Sequence, residues 1–192
     1  MCNRCDWGNA NELMIKYHDE EWGVPLHDDR KLFEFFVLEG FQAGLSWQIV
    51  LNKRENFRRA FDNFNIEIVA KYDKTKIAEL VQDKSIIRNK QKIAATVNNA
   101  NCFLEVQKEF GSFDKYIWQF VDFKPVVNSF SKMSELPAKT ALSDKIAADL
   151  KKRGFKFVGS TVIYAHLQAT GMVNDHLVGC FRYAEVQTGE AP

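Results

Sequence analysis

The chain has 192 residues, 46% apolar and 27% charged, with a formal net charge of +1. That length gives one domain or two small ones with a proper core, and the near-zero charge means that affinity for nucleic acid must come from a local basic patch. No apolar run approaches the ~20 residues needed to cross a bilayer, and Met1-Cys2-Asn3-Arg4-Cys5-Asp6 has no signal-peptide core, so the expected compartment is cytoplasmic, with reduced thiols.

Sixteen Phe against ten Gly and four Pro point to packed helices. In chain order, Glu12 to Asp19 reads as a short helix with Leu13, Met14 and Tyr17 toward one face, ended by Gly23-Val24-Pro25. Asp28 caps a second helix carrying Leu32, Phe33, Phe36, Val37 and Phe41 at helical spacing. The stretch Glu39-Gly40-Phe41-Gln42-Ala43-Gly44-Leu45-Ser46-Trp47 follows, where glycines permit a sharp bend and Ser46 can cap a helix to about Phe61. Asn65 caps a short helix from Ile66 to Lys71, and Asp73 caps another to Gln82. Asn89 to Phe110 is the longest helix, and Phe113 to Val121 comes next. Pro125 to Pro137 reads as a surface loop. Ser143 is expected to cap a helix ending near Arg153-Gly154, and Gly159 to Thr170 is the last helix, stopped by Gly171. No alternating run makes a strand. The expectation is a compact all-α fold forming a single domain over residues 1–192.

Four groups of residues carry chemistry. Cys5 and His18 lie near one end of the chain, His176 and Cys180 near the other. Two thiolates and two imidazoles make a closed tetrahedral zinc set, and His176 and Cys180 share one face if a helix or tight turn holds them. Cys2-x-x-Cys5 is a competing pair, and scattered core residues are the plain alternative. The second group is Leu80 to Lys90, a helix, a short turn with an apolar centre, and a helix; unpaired amides at the second helix start suit a phosphate, with Arg88, Lys90 and Lys92 adding charge. An ordinary helical hairpin is the commoner meaning of such a pattern. The third is Lys151-Lys152-Arg153-Gly154-Phe155-Lys156-Phe157, a weak basic signal by itself. The fourth is aromatic: Trp7, Tyr17, Trp22 and Trp47, with Glu39 beside the last. A carboxylate close to an aromatic plane suits a flat ligand with positive charge or N–H donors.

These residues also carry a resemblance. Cys5-Asp6-Trp7, Tyr17 through Pro25, Leu38-Glu39-Gly40, Gln42 through Trp47, Leu51 through Asn56, Ile86-Ile87-Arg88, Lys151 through Gly159 and Val173 through Cys180 resemble the bacterial 3-methyladenine DNA glycosylase I family, in order and over nearly the whole chain. The resemblance implies a helix-hairpin-helix glycosylase fold, with the hairpin at about residues 74–95 and a structural zinc joining termini at about 5–18 and 176–180. The implied zinc ligands are Cys5, His18, His176 and Cys180, which leaves Cys2 a spectator. The implied base pocket has Glu39 as the catalytic carboxylate, with Tyr17, Trp47, Trp7 and Trp22 around it. Met14 stands where relatives have a pocket tyrosine, and Phe41 replaces a polar residue beside the expected DNA wedge. The implied reaction is excision of 3-methyladenine from double-stranded alkylated DNA by a monomer, with the free base as product. Gln42, Gly44 and Leu45 are candidates to fill the gap in the duplex, and Arg88, Lys90 and Lys152 to meet phosphates. The region Leu104 to Glu109 lacks the Gly-Pro-Asp that many helix-hairpin-helix glycosylases place past the hairpin, and it has no lysine nucleophile in that setting, so the expectation is a monofunctional glycosylase without lyase activity.

Overall fold

The computed structural model describes residues 3–188; Cys2, weighed above as a thiol ligand, lies outside the described residues. Helices dominate. Those near the N-terminus are α1 (Glu12–Glu20), α2 (Asp29–Gln42), α3 (Trp47–Asn52), α4 (Arg54–Ala60), α5 (Ile66–Val69) and α6 (Lys74–Gln82). The rest are α7 (Lys90–Phe110), α8 (Phe113–Trp118), α9 (Ala141–Lys152), α10 (Ser160–Ala169) and α11 (Arg182–Thr188). Caps expected at Asp28, Asn65, Asp73 and Asn89 are made by their side chains, which accept from backbone amides two or three residues on. Among the described residues, no helix is long and apolar enough to cross a membrane.

The fold is arranged around α2, in which every residue from Leu32 to Glu39 is buried. A helix covered on all sides is a core element rather than an amphipathic one. One side of α2 faces α7, α8 and α10. There Phe33 and Phe36 meet Phe103 at ring-centroid distances of 5.0 and 5.4 Å, and Phe103 stacks on Phe113 at 3.7 Å. The other side carries Phe35 into a second cluster with Cys5, Met14, Tyr17, Trp22 and Leu51. The segment after α1 is strapped to the end of α10: Gly23 N–H donates to Gln168 O and Leu26 N–H to Thr170 O. At Gly171 (φ +68) a Cβ would lie 2.3 Å from the Val24 carbonyl carbon, so only glycine permits this approach.

The structure differs from the sequence reading in several places. The helix expected from Ser46 to Phe61 is two, broken at Lys53 (φ −103, ψ 0). Ser46 precedes α3 but makes no side-chain cap. The helix assigned to a Ser143 cap begins three residues earlier, because Thr140 and Ser143 form a reciprocal capping box with Thr140 as the cap. Helix α11 lies beyond the expected last helix. Leu13 is exposed, so the buried face of α1 belongs to Met14, Tyr17 and His18. The loop from Pro125 to Pro137 contains β1 (Val126–Val127), which pairs in parallel with β2 (Val173–Asn174). Two-residue strands are too short to leave a period-2 signal.

The junction of α2, α7 and α8 depends on one carboxylate. Asp29 accepts from the amides of Phe113 and Asp114, both at 2.8 Å, and from Gln107 Nε2 at 2.7 Å. Asp29→Ala leaves two helix-start amides unpaired and should lower the unfolding free energy by about 1–3 kcal/mol in urea titration. A change within about 0.3 kcal/mol would contradict this assignment.

Candidate functional site

The bend after α2 brings Glu39 and Trp47 to one wall of a cavity of about 250 Å³. Trp7, Met14, Tyr17, Trp22 and Gln42 join them, so six of the seven come from the sequence candidates for a base pocket. The seventh, Gln42, expected to fill the gap in the duplex, is partly buried and also lines this cavity. Four further lining residues were missed: Met133 and Leu136 from the supposed surface loop, and Ala165 and Gln168 from α10. The β1–β2 pair anchors that loop beside the site. The only sequence hint was a pair of apolar residues three apart in a Ser-rich run.

Glu39 is 4% exposed, and its Oε2 has no hydrogen-bond partner among the described residues. Burial alone pushes its carboxyl up to about 8. The indole Nε1 of Trp47 is likewise buried without a partner. Tyr17 lies 5.2 Å from Trp47 between ring centroids, inclined at 42°. Burial, then the nearby charges of Glu39 and Glu21, raise the Tyr17 phenol well above its usual range, so it stays a donor. The cavity therefore offers an acceptor, two donors and aromatic faces, with little inside the protein to satisfy them. Buried polar groups left in this state indicate a ligand.

Behind the aromatic wall, Cys5, His18, His176 and Cys180 are all buried, and their ligand atoms lie within 4.8 Å of one another. Each imidazole has one nitrogen already engaged. His18 Nδ1 pairs with Asp19 Oδ1 at 2.8 Å, and His176 Nε2–H donates to Trp22 O at 2.9 Å. That fixes the tautomers and turns the free nitrogens inward: His18 Nε2 is 3.5 Å from Cys180 Sγ, and His176 Nδ1 is 3.6 Å from the same sulfur and 3.8 Å from Cys5 Sγ. Outer partners of this kind orient metal ligands. Asp19 is held in turn by Arg4, through contacts of 2.7–2.9 Å. Two glycines press on the rings: a Cβ at Gly8 would lie 2.8 Å from His18, and one at Gly23 would lie 2.9 Å from His176. The hydrogen bond with Cys180 and burial push the Cys5 thiol up, whereas hydrogen bonds from Cys5, His176 and His18 hold Cys180 well below the usual thiol range. The donor set fits a metal ion. His176 and Cys180 sit on a turn rather than a helix, closed by Cys180 N–H donating to Leu177 O. The cluster touches the cavity through Trp7, whose ring lies 5.2 Å from His18 and 5.0 Å from Trp22.

The basic candidates divide. Arg88, Lys90 and Lys152 are exposed. Lys92 is buried and bound to backbone carbonyls, so it is not a phosphate ligand. Arg153 is committed to Glu109 and Asp149 and stacked on Phe110 and Tyr116. Helix α6 ends at Gln82 and α7 begins at Lys90, next to the expected start at Asn89, but two of the α7 amides are not open: Asn89 Oδ1 accepts from Gln91 and Lys92 N–H. The amides of Ile86, Ile87 and Arg88 make no hydrogen bond among the described residues. Gly44 (φ +85) and Leu45 stand at the exposed tip of the bend. Phe41 does not: it is core, 4.8 Å from the Phe57 ring.

A model of the methyladenine glycosylase family matches residues 7–183. The chain is 48% identical over 180 residues to DNA-3-methyladenine glycosylase 1 of Escherichia coli strain K12, which covers 94% of this chain and 96% of that protein. It is similar to a crystal structure of 3-methyladenine DNA glycosylase I, with a TM-score of 0.91, 47% identity, and 93% and 98% of the two chains covered. A structure of the Staphylococcus aureus 3-methyladenine DNA glycosylase I, from work on how that enzyme recognises 3-methyladenine, matches with a TM-score of 0.90 at 34% identity, covering 94% and 96%.

The raised Glu39 pKa gives a measurable consequence. A carboxyl that ionises less readily folded than unfolded favours the fold below its unfolded pKa, and that contribution is lost as pH rises toward 8. Glu39→Gln removes the dependence. Its stability relative to the parent should grow from about pH 5 to about pH 9, reaching at most about 5 kcal/mol in urea titrations. A difference independent of pH would show that Glu39 titrates normally.

Proposed function

The chain belongs to the methyladenine glycosylase family, and from that premise we infer that it excises 3-methyladenine from alkylated DNA by hydrolysing the N-glycosidic bond, which initiates base excision repair. The observation that carries the reading is the unpartnered buried carboxylate of Glu39 beside the unpartnered indole N–H of Trp47, in an aromatic cavity. We read residues 1–192 as one glycosylase domain, monomeric and cytoplasmic, acting on double-stranded DNA.

3-Methyladenine in DNA carries a positive charge, so its glycosidic bond is already weakened and its leaving group needs no protonation. The protein's task is to extrude the base and hold it. Glu39 accepts from the exocyclic amino group, and a cation beside it lowers its pKa, so the group that is hard to ionise in the free protein ionises on binding. Trp47 stacks on the base, and Tyr17 donates a further hydrogen bond. Trp7, Trp22 and Met14 close the remaining sides and keep water from screening the charge. Neutral adenine gains less from the carboxylate and the π faces, and that difference is the selectivity. Gln42, Gly44 and Leu45 form the segment that enters the duplex. Arg88, Lys90 and the open hairpin amides meet phosphates on one side, and Lys152 on another.

Cys5, His18, His176 and Cys180 hold a structural zinc in this reading. Two thiolates and two imidazoles fill its four positions, so when bound it supplies a cross-link between the ends of the chain and leaves no place for water or substrate.

Each part of this reading has its own test. Chromatography of bases released from methylated duplex DNA should detect 3-methyladenine with the parent. Glu39→Gln should reduce its release by about a hundredfold or more while the protein stays folded. An abasic-site duplex should remain uncut at neutral pH, whereas enzyme-dependent strand cutting would contradict a monofunctional enzyme. Metal analysis of purified protein should give about one zinc per chain. Cys180→Ser should lose the metal and melt at lower temperature, and a metal-free parent with unchanged melting would remove zinc from the account.

A further inference from the structure

Lysine is almost never fully buried unless it is paired, and Lys92 is 8% exposed. It leaves α7 in its first turn, directly after the hairpin. Its Nζ donates to Phe41 O at 2.9 Å and to Ala43 O at 2.7 Å. These are carbonyls that a helix cannot satisfy for itself at its C-terminus. The carbonyl between them, Gln42 O, accepts Leu45 N–H at 2.6 Å. A single ammonium from the hairpin helix therefore closes the end of α2 and the start of the Gly44 bend. A cation there also meets the negative end of the α2 dipole.

A second pair of bonds runs the other way. One short helix beyond the bend, Lys53 Nζ at the α3–α4 junction donates to Ser85 O of the hairpin turn at 2.8 Å, and Asn56 Nδ2 from α4 does so at 3.2 Å. The bend and the hairpin are thus tied from both sides. The tip itself has little to hold it: nothing lies within 4 Å of a Cβ built on Gly44, and Leu45 is 41% exposed. Lys92 is not among the residues lining the base cavity.

We propose that Lys92 is a positioning residue for base extrusion: it fixes the Gln42–Leu45 bend relative to the hairpin, so that hairpin contact with phosphate sets where the bend enters the duplex. This rests on the reading of that face as the DNA-binding face. It follows that Lys92 matters for taking a base out of DNA and not for holding a base already free.

The two demands separate experimentally. Lys92→Met keeps the aliphatic stem and removes the ammonium, and Lys92→Gln retains one amide donor group. Binding of free 3-methyladenine, followed by tryptophan fluorescence, should stay within about twofold of the parent for both. Single-turnover release from methylated duplex at saturating enzyme should fall about tenfold or more for Lys92→Met, and by less for Lys92→Gln. Melting curves supply the folded fraction for each variant, and if Lys92→Met does not fold, Lys92→Gln carries the comparison on the same two readouts. Release by folded Lys92→Met within about twofold of the parent overturns the proposal, as does release at the parental rate by Lys92→Gln if Lys92→Met does not fold. So does an equal loss of free-base binding and release, because that is the mark of general damage to the pocket. A parent that releases no 3-methyladenine at all would instead remove the functional reading itself.

Discussion

A carboxylate in the interior of a helix that is covered on all sides must find a counter-charge, a proton or a ligand. Helix α2 contains two such groups and treats them differently. Glu34 receives Arg54 at 2.5 Å and Arg58 at 2.8 Å, and Arg54 goes on to Glu21. Glu39 receives nothing from the described residues and is pushed toward its neutral form by burial. The same helix thus has one acidic residue spent on structure and one held in reserve. Leaving Glu39 unpaired costs stability that the surrounding aromatic packing has to offset. In the proposed function a cationic purine is a ligand for which that cost is returned on binding, its flat faces meeting the aromatic walls around this one group.

The aromatic walls come from parts of the chain with no local reason to be there. Trp7 lies in a single 3-10 turn (Asp6–Asn9), Trp22 in the turn that follows α1, and Tyr17 on a helix of fewer than three turns. What fixes them is the four-residue Cys/His cluster, in which His176 takes hold of Trp22 O and Trp7 packs edge-on against His18. The glycines at 8 and 23 allow the backbone to lie directly on those rings. The cluster joins the two ends of the chain and, by the same contacts, sets the far wall of the cavity. Stability and recognition depend here on one set of bonds.

On the opposite side of Glu39, charge is assigned by depth. The sequence offers a run of cations around the hairpin and another at the end of α9, all of them equivalent as letters. The structure buries Lys92 against carbonyls, commits Arg153 to Glu109 and Asp149, and leaves Arg88, Lys90 and Lys152 in solvent. Phe41, next to the bend in sequence, turns inward to Phe57 and Phe61. A shift of one position on a helix rotates a side chain by about 100°, which is enough to move it from surface to core.

Most of the helices were legible because their signals are local. Asp28, Asn65, Asp73 and Asn89 cap as their side chains dictate, and Gly154 and Gly171 stop helices in the left-handed region that glycine tolerates. Spacing and residue type also singled out the four Cys/His residues and the Glu39–Trp47 bend, although it took the resemblance to a family to favour that set over the competing Cys2-x-x-Cys5 pair and scattered core residues. What only the tertiary structure decided were properties of pairs distant in sequence: the cavity residues Met133, Leu136, Ala165 and Gln168, the two-residue parallel strands, and the burial of Lys92. A cap is settled within four residues by one hydrogen bond, whereas a cavity wall or a buried ammonium exists only once remote backbone has arrived to form it.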